Sequence, residues 1–166
     1  MSVTHPDFLG ALLAPAGDAE EQRHDWLKVR RANALERASA LSVPTTRDEE
    51  WRFTDLSSLY RLKLKPATVA GDVESTVMQT LFLPEVVRRL VFVDGEFNSE
   101  ASNLPDGGAV RAANLQHALA DDGWREAIEA HLADVADVDS DVFAAANTAY
   151  LQEASVIHVA ASDETA

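Results

Sequence analysis

The chain has 166 residues, 46% of them hydrophobic, enough for one ordinary domain or two small packed units that bury roughly 70% of the unfolded surface. It has no cysteine, which excludes disulfides and thiolate metal ligands and fits a reducing cytoplasm, and no apolar run nears the roughly 20 residues of a membrane-spanning helix. Its net charge of −14 repels phosphate backbones and anionic lipid, so neither nucleic acid nor membrane is expected as a partner.

The N-terminus, Met1-Ser-Val-Thr-His-Pro-Asp7, has no basic start before the apolar patch Phe8–Leu13, so no secretory signal is expected. Asp18-Ala-Glu-Glu21 has the form of a capping box. From there to about Leu41 there is no Gly or Pro, and Trp26/Leu27, Ala34/Leu35, Ala38 and Leu41 recur at helical spacing. An amphipathic helix is expected, ending at Val43-Pro44 because Pro biases the residue before it away from helical geometry. Thr46-Arg-Asp-Glu49 reads as a second capping box, opening a short helix with Trp51 and Phe53. Thr54 or Asp55 caps a further turn from Leu56 to Tyr60. Trp51, Phe53, Leu56 and Leu59 are expected to pack on the long helix. Arg61-Leu-Lys-Leu-Lys65 alternates polar and apolar residues, as a short strand or an extended exit does.

A boundary is expected at about residues 66–74, where Pro, Gly and small residues gather and the charge balance changes. Residues 1–66 hold ten Lys/Arg and ten Asp/Glu, whereas residues 67–166 hold four and eighteen. The whole net charge therefore belongs to the second part, either as a solvated acidic surface suited to high salt or as a face that docks a basic partner. Ser75 to Leu83 reads as a helix stopped by Pro84, and Arg89-Leu-Val-Phe-Val93 as a buried strand. Asp94-Gly95 is a strong hairpin signal, since the tight turn needs positive φ, with Glu96-Phe97 starting the return strand. Leu104-Pro-Asp-Gly-Gly108 marks another turn before a strand at Ala109 to Ala112. Asn114 caps a helix through Leu119. After Asp121-Asp-Gly123, a further helix carries the stripe Trp124, Ile128, Leu132 and Val135. Ser140 or Asp141 caps a last helix to about Tyr150, and Ser155-Val-Ile-His-Val159 is a strand whose edge invites pairing.

Chemistry-bearing patterns are few. His5, His24, His117, His131 and His158 show no i,i+4 pair for zinc, and no cysteine completes a site. His117 and His131 read as surface histidines whose neighbouring carboxylates raise their pKa. No phosphate-binding glycine loop and no G-x-S-x-G elbow occurs. Asp134, Asp137, Asp139 and Asp141 resemble an alternating calcium loop but lack its central Gly and its terminal Glu, so helix capping is the better reading. The sequence thus offers no catalytic, cofactor-binding or metal-binding residue, and the chain reads as a non-enzyme.

Three collinear segments carry a resemblance: Pro44-Thr-Thr-Arg-Asp-Glu-Glu-Trp-Arg-Phe-Thr-Asp-Leu-Ser-Ser-Leu59, Leu90-Val-Phe-Val-Asp-Gly-Glu-Phe97 and Phe143-Ala-Ala-Ala-Asn-Thr-Ala-Tyr-Leu151. Together they resemble the N-terminal part of SufD, in the SufB/SufD family of iron–sulfur cluster assembly scaffolds, over roughly residues 25–160. The chain departs from the usual pattern at Ala146 and Ala101, where Leu is usual, and at Ala154, where Gly is common. The resemblance implies an α+β fold in three parts. An N-terminal helical unit covers residues 1–66, and a small α/β unit with the Asp-Gly hairpin covers 67–152. Residues 153–166 would start a right-handed parallel β-helix that is truncated here. It also implies an N-terminal portion of a cytoplasmic SufD-like subunit, whose β-helix pairs with a SufB-like subunit and whose C-terminal region docks a SufC-like ATPase. The iron–sulfur cluster and ATP would belong to that complex, with no cofactor held by this chain and no ligand role carried over to its histidines. The alternative is a free-standing acidic module that binds a basic protein.

Overall fold

Helix α2 (Asp25–Ala40) forms where the sequence has sixteen residues without Gly or Pro. In the computed structural model the described residues are 6–14, 24–64, 75–105 and 107–160. The Asp18–Glu21 capping box and the 66–74 linker lie outside them. The chain divides into two units, one drawn from Met1–Pro66 with Glu129–Leu151 and the other from Ala67–Ile128 with Gln152–Ala166.

In the first unit, α1 (Pro6–Leu12) precedes α2, two short 3₁₀ turns follow at Glu49–Trp51 and Leu59–Arg61, and α6 (Val142–Ala149) completes the set. Helices α2 and α6 pack together. Their buried residues are chiefly alanines, Ala34 and Ala38 on α2 and Ala145, Ala146 and Ala149 on α6, so small side chains let the two backbones approach. Three arginines of α2 fasten the 129–151 stretch. Arg30 donates to the carbonyls of Leu132 (2.9 Å) and Glu129 (3.1 Å), Arg31 to that of Ala149 (3.0 Å) and Arg37 to that of Asp139 (2.9 Å). This is why residues 129–151, expected within a 67–152 unit, group instead with the N-terminal helices. A second cluster joins Phe8, Val43, Tyr60 and Val142, with Leu41, Leu56, Leu59 and Phe143 around it.

The segment from Thr45 to Tyr60 corrects the sequence reading in detail. The acceptor is Asp48, whose carboxylate takes the backbone N–H (2.7 Å) and hydroxyl (3.2 Å) of Thr45; the Thr46–Glu49 box does not form. Trp51 packs on Phe143 with ring centroids 5.7 Å apart, but Phe53 is 88% exposed. With about three residues per turn, positions two apart point in different directions, so Trp51 and Phe53 do not both face inward. Of the two forms expected at Arg61–Lys65 the extended exit is the one seen: Leu62 is extended, and residues 62–64 pair with no strand among the described residues.

The second unit holds α3 (Ser75–Leu81), β1 (Phe92–Val93), β2 (Glu96–Phe97), β3 (Val110–Asn114), α4 (Leu115–Ala120), the first turns of α5 (Asp122–His131) and β4 (Ser155–Val159). The Asp94-Gly95 hairpin forms as expected: β1 and β2 pair antiparallel, with φ of 50° and 90° at the two turn residues. Asp tolerates the left-handed region and Gly enters it without cost. Strand β4 lies where the sequence placed it, but pairs antiparallel with β3 from Val110↔Val159 to Asn114↔Ser155. The sheets of the described residues are two antiparallel ribbons, and no parallel β-helix is seen among them. The register between β3 and β4 needs a partner 45 residues back in the chain, which the apolar run Val156-Ile157 does not reveal. Helix α5 also stops before its expected end. Ala133 takes φ of 58°, the left-handed conformation that closes helices, and leaves Val135 89% exposed.

Candidate interaction surface

The β3–β4 ribbon has two unlike faces, because opposite residues of an antiparallel pair share a face and successive residues alternate. On one face Arg111 and His158 are cross-strand partners and both meet Trp124 of α5. The Arg111 guanidinium lies 4.6 Å from the Trp124 ring centroid, and the His158 ring 6.1 Å from it. Arg111 also pairs with Asp121 at 2.9 Å. That hydrogen bond, helped by the backbone N–H of Gly123, holds the Asp121 carboxyl below the usual carboxylate range. Trp124 is buried, and its indole N–H has no hydrogen-bond acceptor among the described residues. On the other face Val110 and Val159 stand opposite each other beside Ile157; Ile157 is 63% and Val159 64% exposed. Among the described residues each strand also has an unpaired outer edge, since the sheet there has two strands. A two-stranded ribbon with an exposed apolar face can take up another strand by main-chain pairing or an apolar surface by side-chain burial.

At the end of β3 the backbone passes directly into α4, and Asn114 makes the join. Its side-chain oxygen accepts from the N–H of His117 (3.3 Å) and also lies against the His117 ring nitrogen Nδ1. Its amide donates to both carboxylate oxygens of Glu153 (3.4 and 3.2 Å). Burial pushes the Glu153 carboxyl above its ordinary pKa, partly offset by the Asn114 hydrogen bond and the nearby His117. Beside this cluster are two shallow clefts. One, of about 190 Å³, is lined by Leu104, Pro105, Arg111, His117 and Asp121 among others, and one of about 220 Å³ by Phe97, Ser102 and His117 among others. Both are smaller than the roughly 300–1,000 Å³ of drug-sized ligand pockets, so the geometry favours a contact surface over a small-molecule site.

The residues weighed for chemistry are scattered. His24 sits at the start of α2 near Trp26 (6.3 Å), His117 on α4, His131 at the end of α5 and His158 on β4, while His5 lies outside the described residues. Among the described residues no three His, Asp or Glu side chains gather closely enough to hold a metal ion. The Asp134–Asp141 run does structural work. Asp137 accepts from the N–H groups of Asp139 (3.0 Å) and Ser140 (3.2 Å) and from the Ser140 hydroxyl. Asp141 caps α6 through the N–H groups of Phe143 (2.7 Å) and Ala144 (3.2 Å). Asp134 and Asp139 pair with Arg30 (3.8 Å) and Arg37 (2.9 Å). The exposed ribbon face escaped the sequence reading because Val156, Ile157 and Val159 are all apolar and do not mark which face is covered. No helix among the described residues is long and apolar enough to cross a membrane.

Comparison with known proteins relates the chain to one family. The sequence pattern described as the SufBD protein N-terminal region fits residues 16–165. An iron–sulfur cluster assembly SufBD family protein of Synechocystis sp. is 33% identical over 144 residues, which is 81% of this chain and 29% of that protein. The chain thus spans less than a third of the length of that relative.

Proposed function

The chain belongs to the SufBD family, as its N-terminal region, and from that premise we propose that it serves a SufD-like scaffold subunit in iron–sulfur cluster assembly. Its role in this reading is structural and interactive. It supplies a folded N-terminal region and contact surfaces, while cluster ligation and ATP hydrolysis occur elsewhere in a complex with a SufB-like subunit and a SufC-like ATPase in the cytoplasm. The observation that carries the proposal is the family match across residues 16–165. The iron–sulfur assembly description of a relative 33% identical supports it. The SufD assignment over SufB rests on the wording of the three motifs ending at Leu59, Phe97 and Leu151. The exposed Val110–Ile157–Val159 face of the ribbon is the natural junction to the rest of such a subunit, because an unfinished two-stranded ribbon is marginal alone.

The test is co-expression of the full polypeptide carrying this region with the SufB-like and SufC-like subunits of the same organism. One complex containing all three is expected. Recovery of a SufB–SufC assembly that never includes this polypeptide would refute the proposal. The net charge of −14 supports a second reading, an acidic module that docks a basic protein; it would be favoured if a basic partner outside this set were retained instead.

A further inference from the structure

Strand β3 has an edge that nothing among the described residues uses. The N–H of Ala160 donates to the carbonyl of Ala109 at 2.8 Å, one step beyond the Val110↔Val159 pair. Hydrogen-bonded pairs alternate along an antiparallel ladder. Arg111 and Ala113 therefore exchange bonds with β4, while Val110 and Ala112 turn their main-chain groups outward, where no described residue takes them up. Both clefts open on this outer side. The first is lined by Arg111, Ala112 and Ala113, the second by Ala113 and Asn114, and neither by any residue of β4. They share Leu104, Ala113 and His117, so they run together as one groove beside the strand.

The side chains along the groove define its occupant. Trp124 lines the first cleft and is 7% exposed, and its indole N–H has no acceptor among the described residues. A buried donor left unpaired is costly, and an acceptor entering the cleft recovers that cost. Arg111 and Asp121 line the same cleft but neutralise each other at 2.9 Å, so neither calls for an ion. The first cleft thus wants a neutral acceptor, as an amide carbonyl is. The second, with Phe97 and Leu104 in its lining, suits an apolar side chain. We propose that the groove takes up a neutral, extended segment of a partner protein, paired through its main chain to the outer edge of β3. An Asn or Gln amide of that segment accepts from the Trp124 indole, and an apolar side chain two residues away fills the second cleft. Two residues is the spacing because side chains on one face of a strand recur at every second position. This recognition does not depend on the role in cluster assembly.

The test is an NMR titration of the isotope-labelled 166-residue chain with the peptide acetyl-Gln-Thr-Val-Thr-Gln-amide. Its sequence reads the same in both directions, so it meets the groove in either strand orientation. The Trp124 indole N–H and the Ala112 backbone N–H should shift together along one saturation curve. Glu in place of both Gln residues should weaken binding about tenfold or more, because a carboxylate costs more to desolvate than an amide. Methylating every backbone amide nitrogen of the peptide should abolish binding by removing the strand pairing. No saturable shift at millimolar peptide would overturn the proposal. So would shifts confined to Ile157 and Val159, which would move the peptide to the apolar face of the ribbon. A shift at Ala112 without one at Trp124 would leave the indole to solvent and refute the amide contact. Equal or tighter binding of the Glu peptide would make the cleft an anion site, and binding that survives methylation would exclude edge pairing; each contradicts the proposal.

Discussion

Asn114 joins two parts of the second unit through one side chain. It is 3% exposed, caps α4 and ties the start of that helix to Glu153, just ahead of β4. Removing it leaves an uncapped helix and a half-buried carboxylate without its donor. Asn114→Ala is therefore expected to lower stability by about 1–3 kcal/mol, measured by urea unfolding. Half of this was legible. An Asn placed before an apolar stretch announces a cap, and Asn114 is one. Its bond to Glu153, 39 residues away, leaves no local trace.

Glu153 gives a pH dependence of defined sign. Its folded-state pKa is raised above the ordinary 4.5, chiefly by burial. The contribution from its protonated form is therefore fully present below 4.5 and is lost as pH rises through the raised value. At neutral pH the carboxylate is a liability that an amide lacks, while an amide oxygen still accepts from Asn114. Glu153→Gln should be more stable than wild type at pH 7, and the difference should vanish on acidification below the ordinary carboxylate value. Chemical melts of both proteins across that range decide it, and a gap that widens in acid would reverse the assigned sign.

At the scale of elements, helices and turns were read well where their signals are local. Asp141 before α6 and Asp94-Gly95 between β1 and β2 act as their chemistry dictates. Boundaries failed where a distant group decides them. Helix α5 closes at Ala133 in the left-handed region, without the Gly or Asn that usually marks such a stop, and Arg30 from α2 takes the free carbonyls of Glu129 and Leu132. An alanine there is strained, so Ala133→Gly should raise stability by about 1 kcal/mol, visible as a higher unfolding midpoint. The α2–α6 contact works through small residues. Ala145 is fully buried, and Ala145→Leu should cost about 1–3 kcal/mol by overpacking, read from the same melts. The Ala146 that replaces a usual Leu sits in this packing and is 5% exposed. It marks a seam of small residues, not an unfilled hole.

For the whole molecule, family and class were legible, but the assembly of the units was not. Motif wording at residues 44–59, 90–97 and 143–151 suffices for the family. The α+β class, which the resemblance implies, is the class of the described residues. Nothing local shows that residues 129–151 return to α2, because the arginine-to-carbonyl bonds that bring them back span about a hundred residues. The antiparallel β3–β4 pairing was missed for the same reason. The charge distribution has a consequence at this scale too. With 28 acidic and 14 basic residues, self-repulsion opposes folding, and the chain's six ion pairs among described residues are largely exposed and worth little each. Added sodium chloride should therefore raise the melting temperature by screening; a fall would show that the ion pairs outweigh the repulsion.

The function proposed for this region is support of cluster assembly through structure and contact, without holding the cluster. Anaerobic reconstitution of the 166-residue chain with ferrous iron and sulfide, followed by desalting and iron analysis, tests it most directly. Iron at background level and no charge-transfer absorption are expected. Iron retained in stoichiometric amount, and lost on substituting His117 or His158, would contradict it and place cluster chemistry within this chain.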